Sequence, residues 1–105
     1  MDHLGIIGEY ALEDTIGLCC PCVNSSGVPT APDAAPTWKI LNSAGTAIAN
    51  GTLSSTDSAG LTGVRSGTTT AAAASGFASG GEYDVVFSYA ISAQARTLHG
   101  RISVI

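Results

Sequence analysis

Three cysteines within four positions, Cys19, Cys20 and Cys22, form the most reactive group of side chains in the sequence. Cys19 and Cys22 have the C-x-x-C spacing of redox thiols and of half a zinc site. A zinc site needs four ligands, and the sequence offers no second C-x-x-C pair and only His3 and His99 as imidazole donors. A Cys19–Cys22 disulfide and a zinc site remain alternatives. We interpret the three as free thiols that pack like small apolar side chains.

Two other groups of residues have types that occur in catalytic or cation sites. His99 and Asp84 fall on neighbouring predicted strands among many serines, but the sequence lacks the G-x-S-x-G elbow of a serine nucleophile. Glu9, Glu13 and Asp14 are acidic, but they lack the regular spacing and the turn glycine of a calcium loop. We therefore predict no catalytic residue, no metal site and no cofactor, and we interpret the chain as non-enzymatic.

The composition excludes several classes of partner. Only 11% of the 105 residues are charged, against about 25% in an average protein. The net charge is −4, and the basic residues are scattered at Lys39, Arg65, Arg96 and Arg101, so we expect no nucleic acid as partner. We find neither an apolar run of about 18 residues nor a secretory leader, so we expect no membrane association. A charge-poor chain of this kind favours an assembly component that neighbours cover, and we expect no small-molecule substrate.

The elements that must carry these residues are short strands. Residues 83–91 alternate apolar and polar side chains with period two, and residues 96–105 alternate in the same way after a turn at 92–95. Residues 37–41 and 46–49 predict a hairpin around a 42–45 turn. Residues 64–74 combine threonines with alanines, and we interpret them as strand. The pattern predicts an all-β, immunoglobulin-like sandwich of six to seven strands, with Trp38 and Phe87 at the centre of its core.

The N-terminal segment and a proline-rich connection are the predicted contact regions. We divide the chain into an N-terminal arm, residues 1–11, and a single β-sandwich domain, residues 12–105. For the apolar segment 1–18, a short helical turn, a first strand and a docking arm are all compatible with the pattern. Prolines favour an ordered extended connection at 23–36. The predicted partner-binding residues are Leu4, Ile6, Ile7, Tyr10, Pro29, Pro32 and Pro36.

Three stretches resemble a known group of proteins. They are Gly27-Val-Pro-Thr-Ala-Pro-Asp-Ala-Ala-Pro-Thr-Trp-Lys-Ile, then Ala49-Asn-Gly-Thr-Leu, and Gly76-Phe-Ala-Ser-Gly-Gly-Glu-Tyr-Asp-Val. Over about residues 12–104 the chain resembles small tailed-bacteriophage virion proteins with an immunoglobulin-like sandwich. The cysteine cluster is not part of this resemblance.

The resemblance implies a capsid decoration or cement protein that stabilises contacts between major coat subunits. Its partners would be the major capsid protein and neighbouring copies of itself. It would be made in the host cytoplasm and would lie on the capsid surface of the virion. A tail or neck component and an extracellular immunoglobulin-like binding module are the alternatives.

Overall fold

Strands form most of the regular structure of this protein. The computed structural model describes the backbone of residues 2–105 and the side chains of residues 8–105. In this part of the chain two short 3₁₀ turns lie at Ser58–Gly60 and Ala73–Ser75. The strands are β1 Asp2–Tyr10, β2 Thr15–Pro21, β3 Thr37–Leu41, β4 Ala47–Thr52, β5 Val64–Thr70, β6 Glu82–Ile91 and β7 Gln94–Val104.

The strands form two sheets with immunoglobulin-like connectivity. The larger sheet has the order β1-β7-β6-β3-β4, and the smaller one pairs β2 with β5. β1 runs parallel to β7, and the other pairs are antiparallel. β3, β6 and β7 thus take the places of strands C, F and G of an immunoglobulin domain, while β2 and β5 take those of B and E. The predicted all-β sandwich is confirmed.

The core lies between the sheets because every second residue of each long strand faces inward. On β6, the inward residues predicted from the alternation are all buried. Phe87 is completely buried, and Trp38 lies directly opposite it on β3, which confirms the predicted centre of the core. From the smaller sheet, Ile16 and Leu18 pack into the same cluster.

The hairpin between β6 and β7 has an unusual turn. Ser92 and Ala93 both have positive φ, 51° and 63°, as a tight two-residue turn of primed type requires. Neither is glycine, so the backbone conformation is costly. The Asp33 carboxylate offsets this cost, since it accepts hydrogen bonds from the Ser92 and Ala93 amides at 3.0 and 2.8 Å. Part of the proline-rich connection thereby holds the turn in place.

One prediction about local structure needs correction, and one dipeptide that is typical of turns has another role. The segment predicted as an N-terminal arm forms strand β1 beside β7 from residue 2 to residue 10, so it belongs to the sheet. Asn50-Gly51, which has the sequence of a turn, lies inside β4. Gly51 is opposite Trp38 there, and a Cβ at Gly51 would lie 2.7 Å from Cζ2 of the indole. The glycine is therefore required by the close approach of the ring and not by a turn.

Candidate protein-interaction surface

The N-terminal residues predicted to bind a partner lie on an edge strand. Leu4, Ile6 and Ile7 belong to β1, and their side chains lie outside the described part of the structure. Tyr10, at the end of β1, is half-buried and packs against the core. Its hydroxyl donates a hydrogen bond of 3.4 Å to the Gly17 carbonyl on β2. Tyr10 therefore links the N-terminal strand to the smaller sheet.

The predicted prolines have different environments. Pro29 is exposed and pairs with Val23 in an isolated antiparallel bridge. Pro32 and Pro36 are buried within the chain. Their burial corrects the prediction for these two residues, because a side chain inside the fold is not available to a partner. The reason is that the connection crosses the end of the sandwich, where Asp33 and Pro36 both form backbone hydrogen bonds with neighbouring strands.

The cysteines are separated by the geometry of the strand. Positions three apart on a strand face opposite sides, so Cys19 is exposed whereas Cys22 is buried. The C-x-x-C pair does not come together. Cys20 and Cys22 share the inner face instead, with their sulfurs 3.9 Å apart, and all three thiols are free. The sulfur–sulfur contact and burial raise the pKa of Cys20 far above its ordinary range, so its thiol stays protonated at neutral pH.

The other candidate chemical groups are engaged in structural contacts. Asp84 lies opposite Arg101 and accepts a hydrogen bond from its Nε at 3.4 Å, while His99 lies opposite Val86. The Glu13 carboxylate accepts the amide of residue 73 at 2.9 Å. The aromatic side chains that a ligand groove would need are buried in the core: Trp38, Phe77, Tyr83, Phe87 and Tyr89.

The outer edge of β2 presents backbone groups that pair with no other strand of the described residues, although the Gly17 carbonyl accepts the Tyr10 hydroxyl. At one end of the β2–β5 ladder the Cys22 amide donates to the Gly63 carbonyl, and at the other the Ala71 amide donates to the Asp14 carbonyl. In an antiparallel ladder successive residues point their N–H and C=O groups to opposite sides. Because the even-numbered residues of β2 bond to β5, the odd-numbered ones point away from it. Thr15, Gly17 and Cys19 are exposed residues. We call their outward-pointing backbone groups the β2 edge.

Between Thr15 and Cys19 the β2 edge lacks the charges and bulges that normally protect a sheet edge, and only Pro21 at its end blocks pairing. Bulges and charged side chains usually prevent pairing with other chains. The β1–β7 and β3–β4 pairings both contain register shifts, whereas the β2–β5 ladder runs over seven residue pairs without one. The β2 sequence, Thr-Ile-Gly-Leu-Cys-Cys-Pro, contains no charge. The opposite edge of this sheet is partly covered, since Ser54 bonds to both backbone groups of Ser66.

Gly17 sits at the middle of the β2 edge without a local reason to be glycine. Its φ is not in the left-handed range, and no described atom would lie within 4 Å of a Cβ at this position. Two other strand glycines lie where a side chain would not fit. Gly8 lies under the Tyr10 ring, and a Cβ at Gly67 would lie 3.1 Å from Leu53 Cδ2. A strand glycine with free space above it is typical of a place where another backbone approaches. The sequence alone does not reveal this edge, because the edge is defined by which strands pair with β2 in the folded protein.

No helix in the described residues is long and apolar enough to cross a bilayer. Within the same residues no three His, Cys, Asp or Glu side chains are grouped so as to hold a metal ion. No family model matches the chain, and neither the curated proteins nor the solved structures contain a match.

Proposed function

We propose that the chain is a structural virion protein of a tailed bacteriophage, acting on the capsid surface as a decoration or cement module. It binds between major coat subunits and stabilises their contacts. Catalysis has no part in this role. Binding to the assembled coat, and not to free subunits, shifts the assembly equilibrium toward the intact shell by mass action.

The observation that carries the proposal is a charge-poor β-sandwich in which one sheet edge, that of β2, has neither charge nor register shift. An unpaired edge offers ready main-chain hydrogen bonds to an extended segment of another protein. The sequence resemblance to virion proteins of this fold supports the same role. A free monomer with such edges would be prone to self-association, whereas a component of a shell has its edges covered by neighbours.

We place the coat contact on β1. This strand lies at the outer edge of the larger sheet, and register shifts on both sides of Ile6 interrupt its pairing with β7. Because such register shifts disfavour further strand pairing at this edge, the contact that we propose there is made by apolar side chains and not by added main-chain hydrogen bonds. Leu4, Ile6 and Ile7 would supply apolar contact area there.

Virion composition is the direct test of the role. Particles produced with the gene present should contain the protein in a fixed copy number proportional to the coat subunits, as measured by quantitative mass spectrometry. Electron microscopy should place it on the shell. A position at the neck or tail, or absence from purified virions, would contradict the cement role.

The contact itself is tested with particles that lack the protein. The full chain should co-sediment with them and raise their disruption temperature, and a variant lacking residues 1–11 should do neither. Because β1 belongs to the sheet, circular dichroism and melting must first show that the shortened chain folds. Leu61→Ser is the matched control, because it removes an exposed apolar side chain elsewhere and should bind normally. Equal binding by the shortened chain would refute the role of β1.

A further inference from the structure

We propose that the β2 edge pairs antiparallel with the β2 edge of a second copy of this chain, about a twofold axis that passes by Gly17. The two small sheets then join into one four-stranded sheet of order β5-β2-β2-β5. This inference rests on the proposed role as an assembly module and names one partner and the strand that meets it. The interface is isologous, so the same surface serves both copies.

The ends of the β2 edge match a ladder of three residues per copy. Pro21 has no N–H and cannot continue the ladder at one end. At the other end the chain leaves the strand at Glu13, whose φ is 72°, and turns so that the Asp14 amide bonds to the Ala11 carbonyl. Between these limits, twofold pairing sets Gly17 opposite itself and Thr15 opposite Cys19 of the second copy. Every outward N–H and C=O of the three residues then has a partner.

Gly17 explains why the axis belongs at this point. At the twofold axis Gly17 lies opposite Gly17 of the second copy. Any side chain at this position would therefore face the same side chain across the axis. Glycine leaves the space across the axis free of side chains. The Tyr10 hydroxyl that donates to the Gly17 carbonyl at 3.4 Å does not prevent pairing, because a carbonyl oxygen has a second lone pair.

The charge pattern favours a second copy over a different partner. Two identical strands repel each other if they carry charge of one sign, and β2 carries none. The flanking exposed side chains, Thr15 and Cys19, are small and neutral. An acidic or basic partner strand would find no complementary charge along this edge.

Sedimentation of the purified full chain tests the dimer. We expect a monomer–dimer equilibrium that Gly17→Pro weakens at least about tenfold, since it removes the two hydrogen bonds at the axis. Proline at position 17 removes no bond to β5, because its amide faces outward. The matched control is Thr68→Pro, on the β5 residue opposite Gly17, which should dimerise like the original chain. A monomer at all concentrations, or equal dimerisation by Gly17→Pro, would overturn the proposal.

Cross-linking tests the register. Directly opposite residues of a hydrogen-bonded pair have Cα atoms about 5.5 Å apart, which a disulfide can span. Under oxidised glutathione, which takes up the two electrons and two protons from each thiol pair, Thr15→Cys should give a covalent dimer through Cys19 of the second copy. Thr68→Cys and the original chain should run as monomers on non-reducing gels. Rapid cross-linking of the original chain through Cys19 alone would show a different register.

The dimer and the cement role can be disproved independently of each other. Dimerisation is measured in solution without particles, whereas the cement role is measured on particles and in virions. If Gly17→Pro is monomeric but still binds coat particles, the dimer is confirmed and β1 remains the coat contact. If the chain dimerises but never occurs in virions, the cement role is wrong and the dimer stands.

Discussion

Asp57→Ala is expected to destabilise the protein clearly more than the loss of an exposed ion pair. Asp57 Oδ1 lies 3.1 Å from Arg65 Nε and accepts a second hydrogen bond, also 3.1 Å, from the Gly63 amide. The Arg65 side chain is only 7% exposed. Its remaining bond is from Nη1 to the Ser54 carbonyl at 3.3 Å. Without the carboxylate, the buried guanidinium loses one of its two acceptors and the Gly63 amide loses its side-chain acceptor.

The size of the effect follows from the burial of the two partners. Removing one member of a fully buried ion pair costs about 3–5 kcal/mol. The Asp57 side chain is 34% exposed, so water can partly replace the carboxylate, and we expect a loss of about 1.5–3 kcal/mol. Asp57→Asn keeps an oxygen acceptor and loses only the charge, so it should cost about half as much.

Urea unfolding followed by circular dichroism and by the fluorescence of Trp38 measures these losses at neutral pH. The matched control is Arg101→Ala, which breaks the pairs of Arg101 with Asp84 and Glu82. Its side chain is 53% exposed, so the cost should stay within about 0.5 kcal/mol. If Asp57→Ala cost no more than Arg101→Ala, the Arg65 cluster would not stabilise the fold as we argue.

Two further predictions concern the core. Gly51→Ala places a methyl group 2.7 Å from Trp38 Cζ2 and should cost about 1–2 kcal/mol by overpacking, seen as a lower melting temperature; an unchanged value would contradict the close contact. The raised pKa of Cys20 makes its contribution to stability complete below pH 9.0, the ordinary pKa of the thiol, and lost above it, because the unfolded chain releases the proton first. Stability in urea unfolding should therefore fall as the pH rises above 9.0, and Cys20→Val should lack this component; equal slopes would refute it.

Period-two alternation predicted β3, β6 and β7 because each of these strands has one face in the core. The failure to predict a strand at the N-terminus has a different cause. Residues 1–18 contain two strands, but the turn between them has none of the usual glycine, proline or asparagine. Glu13 takes the left-handed conformation instead, and hydrogen bonds to Ala71 and Ala73 hold it there. Such long-range contacts leave no local pattern, so an arm and a strand could not be distinguished.

The candidate site was predictable only in part, because spacing does not show which face a residue takes or which edge is unpaired. The C-x-x-C spacing of Cys19 and Cys22 suggested a pair that a strand cannot form. The β2 edge depends on β1 joining β7 instead of β2, a pairing between residues about a hundred positions apart. Gly17 looks like any other glycine until the space above it is known.

The location of the acidic residues links the charge-poor composition to the proposed assembly. Of the eight acidic residues, four bind backbone amides: Glu13, Asp14, Asp33 and Asp57. These four residues remain exposed, but none of the eight acidic residues lies on β2, so like-charge repulsion does not protect this edge. If the β2 edge were meant to stay in solvent, a single lysine at Gly17 would protect it at little cost, since the position has room for a side chain. Its absence is what we expect of an edge that pairs.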